Sequence, residues 1–304
     1  MRTIIYKMKF IVTTTIQPPT EATIRFSKKK DWNLIVVGDK KTPSQDYKNI
    51  DCIYITPKMQ EKINKELSDM IGWNSIQRRN FGFIYAYKEG GEVVASVDDD
   101  NIPYRNWGKN LEIGNKVNID TYTSRNGVFD PLSVTKYNDL WHRGYPIQLL
   151  ESKNKVTKIK NKNFNVHIQA DFWDGDPDID AICRLSKKPL VKFKFQKPFA
   201  STNISPFNSQ NTFFSREVIP YYMVLPHVGR MDDIWGGYIL QQKFPKSLIF
   251  NKASVYQKRN EQDLILNLEK EIIGYRNTLD FINGKYKLPN FVEKVYKVYC
   301  ESFK

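Results

Sequence analysis

Cysteine and histidine are scarce in this chain, and so are the motifs that usually announce a chemistry. The three cysteines, Cys52, Cys183 and Cys300, stand far apart with no CxxC spacing. A thiolate zinc site and a disulfide framework are thereby excluded, and a reducing compartment is expected. The three histidines, His142, His167 and His227, make no HExxH or related ligand spacing. No GxSxG, Walker loop or GxGxxG occurs, which removes the serine-hydrolase, P-loop and nicotinamide-dehydrogenase readings. No run approaches the roughly 20 apolar residues of a spanning helix. Residues 1–16, broken by Lys7 and Lys9, lack the continuous apolar core of a signal peptide. The expectation is a chain without a transmembrane segment, cytoplasmic or peripheral to a membrane.

Acidic residues are outnumbered, 33 against 47 basic ones, giving a net charge of +14. That excess suits nucleic acid, an anionic membrane surface or phosphate-bearing small molecules. Much of it lies in runs such as 28–30 (KKK) and 155–162, which read as a solvated surface. No nucleic-acid-binding module is recognisable, so no nucleic-acid partner is expected. Apolar residues, by contrast, reach 40% and aromatics alone 13%, enough for a core that encloses a pocket.

Residues 4–15 read as a first strand, rich in β-branched residues and stopped by Pro18-Pro19. A short helix is expected over 20–27. The run 32–38 (WNLIVVG) has the continuous apolar character of a strand buried on both faces. A third strand follows over 51–55, then helices over 57–70 and 79–90. A fourth buried strand, 92–97, runs directly into Asp98-Asp99-Asp100. This alternation predicts a doubly wound, mainly parallel α/β sheet, which binds ligands outside the carboxyl ends of its strands. Beyond it, 153–165 reads as a basic loop or exposed hairpin, 166–260 as short strands and turns, and 262–282 and 291–303 as helices. One domain over 1–261 with a helical extension over 262–304 is expected.

Three adjacent carboxylates at a strand end repel one another, and a divalent cation removes that penalty. Magnesium and manganese favour carboxylate and phosphate oxygens. With a period of two, Asp98 and Asp100 project to one side wherever extended geometry persists, so they are the expected metal ligands, with Asp98 and Asp99 against a donor. The alternative is an acidic turn that caps the strand. Asp39 and Lys40 follow the second strand, where they suit a ribose and a phosphate or form a plain polar turn. Arg78 and Arg79 open the helix before the triplet and suit a pyrophosphate or a solvated helix start. The segment 175–180 (GDPDID) offers carboxylates to a sugar or metal, or is an Asp-Pro turn. Asn208, Gln210 and Asn211 in 206–211 (PFNSQN) suit sugar hydroxyls or satisfy their own backbone. In 230–238 (RMDDIWGGY), Asp232 and Asp233 serve as general base and electrostatic stabiliser, or cap a helix, while Trp235 offers a face for a sugar ring.

Taken in order, these motifs resemble the STELLO family of glycosyltransferase-like proteins. The matching segments are 12–19 (VTTTIQPP), 32–43 (WNLIVVGDKKTP), 78–84 (RRNFGFI), 98–101 (DDDN), 175–184 (GDPDIDAICR), 206–212 (PFNSQNT) and 233–238 (DIWGGY). Thr14 and Thr15, in the first of them, are expected on the donor. A weaker similarity, in the triplet, 143–146 (RGYP) and 230–235 (RMDDIW), links the chain to the reversibly glycosylated polypeptides, which include UDP-arabinopyranose mutases. Their glycosylated arginine is matched by Arg143. The resemblance implies a GT-A-type fold of mixed, mostly parallel sheet flanked by helices, a UDP-linked sugar donor and Mn2+ or Mg2+. It implies a hexosyl or pentosyl transferase with a glycan, lipid or protein acceptor. The alternatives are a pyranose/furanose mutase or self-glycosylating protein, or a non-catalytic partner in glycan synthesis. Plant STELLO proteins are longer and membrane-anchored, and GT-A enzymes often add a C-terminal histidine to the metal. The corresponding stretch here, 257–263 (QKRNEQD), has none, which leaves Gln262, Asp263 or water for that position.

Overall fold

The computed structural model describes residues 8–193, 197–259 and 261–304; positions 4–7 of the expected first strand lie outside the described residues. The apolar runs form β1 (Lys9–Thr15), β2 (Asn33–Gly38) and β4 (Val93–Val97), buried almost throughout, as strands covered by helices on both faces must be. Thr20 caps α1 (Glu21–Ser27), its hydroxyl accepting from the Thr23 amide. The helix expected over 57–70 is two helices, α2 (Pro57–Ile63) and α3 (Lys65–Ile71), with β3 (Ile53–Ile55) before them. Asn64, at φ −162° and ψ 104°, leaves helical geometry and caps α3 through its own side chain, the local competition that makes Asn a helix starter. Then come α4 (Arg79–Lys88), β5 (Asn101–Pro103), β6 (Lys116–Ser124), β7 (Val156–Asn165), β8 (Ile168–Gly175), α5 (Ala181–Lys187), β9 (Phe199–Ser201) and β10 (Asn211–Ser215). The chain finishes with α6 (Asp232–Lys243), β11 (Leu248–Gln257), α7 (Leu264–Ile282) and α8 (Asn290–Glu301).

Among the described residues one 11-stranded sheet runs in the order β3-β2-β1-β4-β10-β8-β11-β9-β6-β7, with β5 on β11 beside that path. It is parallel from β3 to β4. β10 is antiparallel to both β4 and β8, and β8 is parallel to β11. The basic stretch 153–165 is largely β7, an edge strand paired antiparallel with β6 rather than a loop or a hairpin of its own. The exposed Lys158 and Lys162 suit an edge that must not recruit another strand.

Register sets the working edge. Thr15 pairs with Gly38, Val97 with Asn211, and Gly175 with Gln257. Asp39, Asp98, Asp176 and Lys258 therefore leave the sheet side by side at its carboxyl ends, with Gln210 entering there. Helix α4 lies hard against β1 and β2. A Cβ on Gly82 would stand 2.4 Å from Val12 Cγ1 and 2.9 Å from Val37 Cγ2. Gly82→Ala is expected to destabilise the fold by about 1–3 kcal/mol through overpacking, read as a lower urea midpoint at unchanged m. Among the described residues no helix is long and apolar enough to cross a membrane.

Candidate functional site

β4 ends at Val97, and a turn follows in which the Asn101 amide donates to the Asp98 carbonyl at 3.3 Å. Extended geometry therefore stops, and partners rather than a period of two sort the triplet. Asp98 takes the buried Arg79 guanidinium. Asp99 accepts from Thr15 and so faces β1. Asp100 Oδ1 is buried with no hydrogen-bond partner among the described residues. Burial, then the Asp98 carboxylate, push Asp100 up to about 7 against the pull of Arg259. An orphaned acceptor beside a second carboxylate fits a hard cation. Among the described residues no three His, Cys, Asp or Glu side chains form a closed cage. A cation here would be held by Asp98 and Asp100 and completed by substrate oxygens and water, as magnesium-type ions are in phosphate-transfer sites.

A second acidic centre forms at the start of α6. Arg143 donates from Nε and Nη2 to Asp178 at 2.9 and 3.0 Å, and from Nη1 and Nη2 to Asp233 at 3.0 and 3.3 Å. Burial alone would lower that guanidinium, but Asp178 and Asp233 more than offset it and hold Arg143 well above its ordinary value. The same pairing holds Asp178 and Asp233 down despite their burial. Gly144, at φ +79°, lets the turn close on α6, since a Cβ there would meet Ile234 Cγ2 at 2.3 Å. Asp232 is different. Burial and the neighbouring Asp233 push it up to about 7. It accepts from Gln77 Nε2 at 3.0 Å and from the Asp233 amide at 2.9 Å, with Arg143 no nearer than 3.9 Å.

The two centres are joined. Arg79 Nη1 donates to Ser209 Oγ at 2.7 Å and to its carbonyl at 3.1 Å. The Ser209 amide and hydroxyl in turn donate to Asp233 Oδ2 at 2.8 and 3.1 Å. Asn208 closes the ring by donating to Asp178 at 2.8 Å. Thus Asp98, Arg79, Ser209, Asp233, Arg143 and Asp178 form one polar network, buried except at the partly exposed Asp98, in which each carboxylate has a cation or an amide.

Several residues expected on a donor have partners within the protein in this geometry. Arg78 is fully buried and donates to Gln60, Ser68 and the Gly72 carbonyl, with its plane 3.7 Å from the Trp73 ring centroid; it braces α2 and α3 and has no fork left for a phosphate. Arg79 positions Asp98 instead of facing solvent. Asn211 accepts from Trp107 and donates to Phe172, Asp171 and Ser254 inside the sheet. Trp235 is wholly buried, bonded to Thr278 at 3.0 Å and stacked on Phe281 at 4.8 Å, so it locks α7 onto α6 and offers no face to a sugar. Thr14 is tied to the Val37 carbonyl at 2.8 Å. Asp233 and Arg143 are fixed in each other's grip. Asp39 stays at the working edge, accepting from the Lys40 and Ser75 amides, while Lys40 lies over Trp73 at 4.7 Å. Gln210 meets Gln257 at 2.9 Å beside the triplet.

The stretch 257–263, where Gln262, Asp263 or water was expected at the metal, brings a cation, Arg259, inward. Gln262 accepts from Asn267, and Asp263 caps α7. Arg259 turns inward, 3.4 Å from Asp176 and 3.9 Å from Asp178, with Nε lacking a hydrogen-bond acceptor among the described residues. A cavity of about 360 Å3 opens beside it, lined by Asp176, Arg184, Arg259 and Glu261. Neither Arg259 nor Gln77 was signalled by a motif; only the β8–β11 register and the approach of α6 bring them in.

A doubly wound half of parallel strands, continued by antiparallel β10 and carrying an acidic turn at the β4 edge, defines a mixed α/β protein. In sequence the chain is STELLO-like. It is 22% identical over 299 aligned residues to the probable glycosyltransferase STELLO2 of Arabidopsis thaliana, and 22% over 300 to STELLO1 of the same plant. Each alignment takes in 87% of this chain and 38% of the relative, so the chain spans well under half the length of the curated relatives it matches. No family model matches. Among solved structures it is similar to glucosyl-3-phosphoglycerate synthase from Mycobacterium tuberculosis, in the complex with uridine diphosphate (TM-score 0.47, 12% identity, 93% of this chain and 82% of that one). The complex of that enzyme with Mn2+, UDP-glucose and phosphoglyceric acid also matches (TM-score 0.47, 12% identity, 93% and 81%).

Proposed function

We propose that residues 1–261 form a catalytic domain, extended by the helices of 262–304, that transfers a glycosyl group from a nucleoside-diphosphate sugar, UDP-linked, with the help of a divalent cation. The observation that carries this reading is the orphaned Asp100 oxygen next to Asp98 at the carboxyl edge of the sheet. The likeness to proteins named as probable glycosyltransferases supports it. When bound, Mg2+ or Mn2+ neutralises the diphosphate and stabilises the departing nucleotide. Arg79 holds Asp98 in place for that task. Asp39 addresses the nucleoside, and Arg259, whose Nε is paired at 3.4 Å with Asp176, adds positive charge on the diphosphate side. Asp232, poised near 7 and held by Gln77, takes the proton of an acceptor hydroxyl. Arg143 fixes Asp233 and Asp178, and through them the start of α6. A guanidinium locked between two carboxylates is a poor nucleophile, so its surroundings favour this positioning role over the mutase chemistry.

The test is a panel of UDP-hexoses and UDP-pentoses with Mn2+, following donor binding and UDP release with and without sugar acceptors. Binding and release are expected for one donor class, both lost on chelation. Asp100→Asn is expected to weaken metal-dependent donor binding by at least about ten-fold. Tight binding without release under any acceptor would instead support the non-catalytic partner reading. No binding of any nucleotide sugar sinks the proposal.

A further inference from the structure

At the opposite end of the sheet, where β2 and β3 begin, the surface is concave and basic. Two cavities, about 610 and 600 Å3, share the wall formed by Lys28, Lys29, Lys30 and Trp32. Arg25, Arg105 and Lys109 complete the cationic lining of the first, against Asp31; Asp51 is the acid of the second. Of these cations only Arg25 has an ion-pair partner among the described residues, Glu21 at 2.6 Å. Lys29 is drawn into the wall by the Tyr104 carbonyl at 2.7 Å, and burial, then Lys109 and Arg25, lower its pKa. Lys29 is thus held in the hollow, and the exposed side chains of Lys28, Lys30, Arg105 and Lys109 line it from the solvent side. The floor is aromatic. Trp32 and Trp107 stand 5.0 Å apart. Trp107 donates to Asn211, whereas the Trp32 indole N–H meets no acceptor among the described residues.

A convex lysine-rich surface is ordinarily just solvated. Convergence of six cations on a concavity of ligand size, with an indole donor left over, is a different arrangement. We propose that this groove is a second site, remote from the acidic triplet, that binds a phosphate-bearing group: a phosphomonoester or diphosphate head. The ammonium groups neutralise it, and the Trp32 N–H donates to one of its oxygens. The compact hollow suits a head group better than a polynucleotide, whose phosphates need an extended basic track.

Lys28, Lys30 and Lys109 are exposed, so charge reversal there leaves the core untouched. The full chain is titrated with inorganic pyrophosphate by calorimetry in the presence of chelator. Saturable binding is expected, weakened about ten-fold or more in Lys28→Glu/Lys109→Glu. It should stay within about two-fold in the control Lys285→Glu/Lys287→Glu, which carries the same charge change in the α7–α8 connection. Thermal melting checks that both variants fold. A vesicle arm distinguishes the source of the phosphate. Sedimentation with phosphatidylcholine vesicles that contain phosphatidic acid, lost in the groove variant, identifies a lipid head group. Pyrophosphate binding without vesicle capture identifies a soluble phosphate ligand. Absence of pyrophosphate binding, equal loss in the control pair, or retention in the groove variant overturns the site. So does a single-stranded oligonucleotide that binds more tightly than pyrophosphate and depends equally on both lysine pairs.

Discussion

Asp232→Asn is expected to lower glycosyl transfer by about 10²–10⁴-fold while leaving metal-dependent binding of the UDP-sugar within about two-fold. The amide keeps the shape and the bond from the Asp233 amide but cannot take a proton. The pH profile separates this from structural damage. With Asp232 raised to about 7 by burial and by Asp233, the wild-type kcat/KM rises as pH passes through that region and the base form fills; the variant loses this limb. Stability moves the other way. A carboxyl whose folded pKa lies above its unfolded value favours the fold below the unfolded pKa and loses that contribution as pH rises through the folded one. Removing the charge therefore leaves the melting temperature at pH 8 unchanged or higher. A variant that loses activity and stability together, or keeps its activity, would contradict the assignment of a base.

Arg143→Met is expected to cost about 3–5 kcal/mol of stability, because it strands two buried carboxylates without their cation. Asp178 and Asp233 each receive two bonds from that single guanidinium. Arg143→Lys restores the charge but not the planar fork, so it recovers only part of the loss. Urea midpoints for the three proteins test this directly. Intact-protein mass spectrometry after incubation with the donor supplies the second reading. No glycosyl adduct is expected on Arg143, whereas an adduct lost in Arg143→Lys, with stability unaffected, would restore the self-glycosylation chemistry.

The sheet was legible where the sequence had one physical reason for its pattern. Runs such as 32–38 and 93–97 are apolar on both faces and became β2 and β4, and the triplet stood at the strand end where they place it. Polar residues were harder, because their type does not say which way they point. Asn211 and Trp235 carry the groups that recognise sugars, yet the sheet interior and the α6–α7 contact claim them. Arg78 and Arg79 adjoin in sequence but brace different neighbours, one α2 and α3, the other Asp98. Asp178 looked like part of an acidic turn until the RGYP turn, 35 residues earlier, brought Arg143 to it. Such long-range pairings depend on register and crossovers, which no local window contains.

Ser209 links the carboxylate that meets the cation side to the one that anchors α6, with its carbonyl and hydroxyl on Arg79 and its amide and hydroxyl on Asp233. One small residue thus joins the two acidic centres, which the proposed function assigns to the leaving group and to the acceptor. Substitutions made in the two halves will not act as independent increments, and redesigning either specificity means repacking this shared joint first.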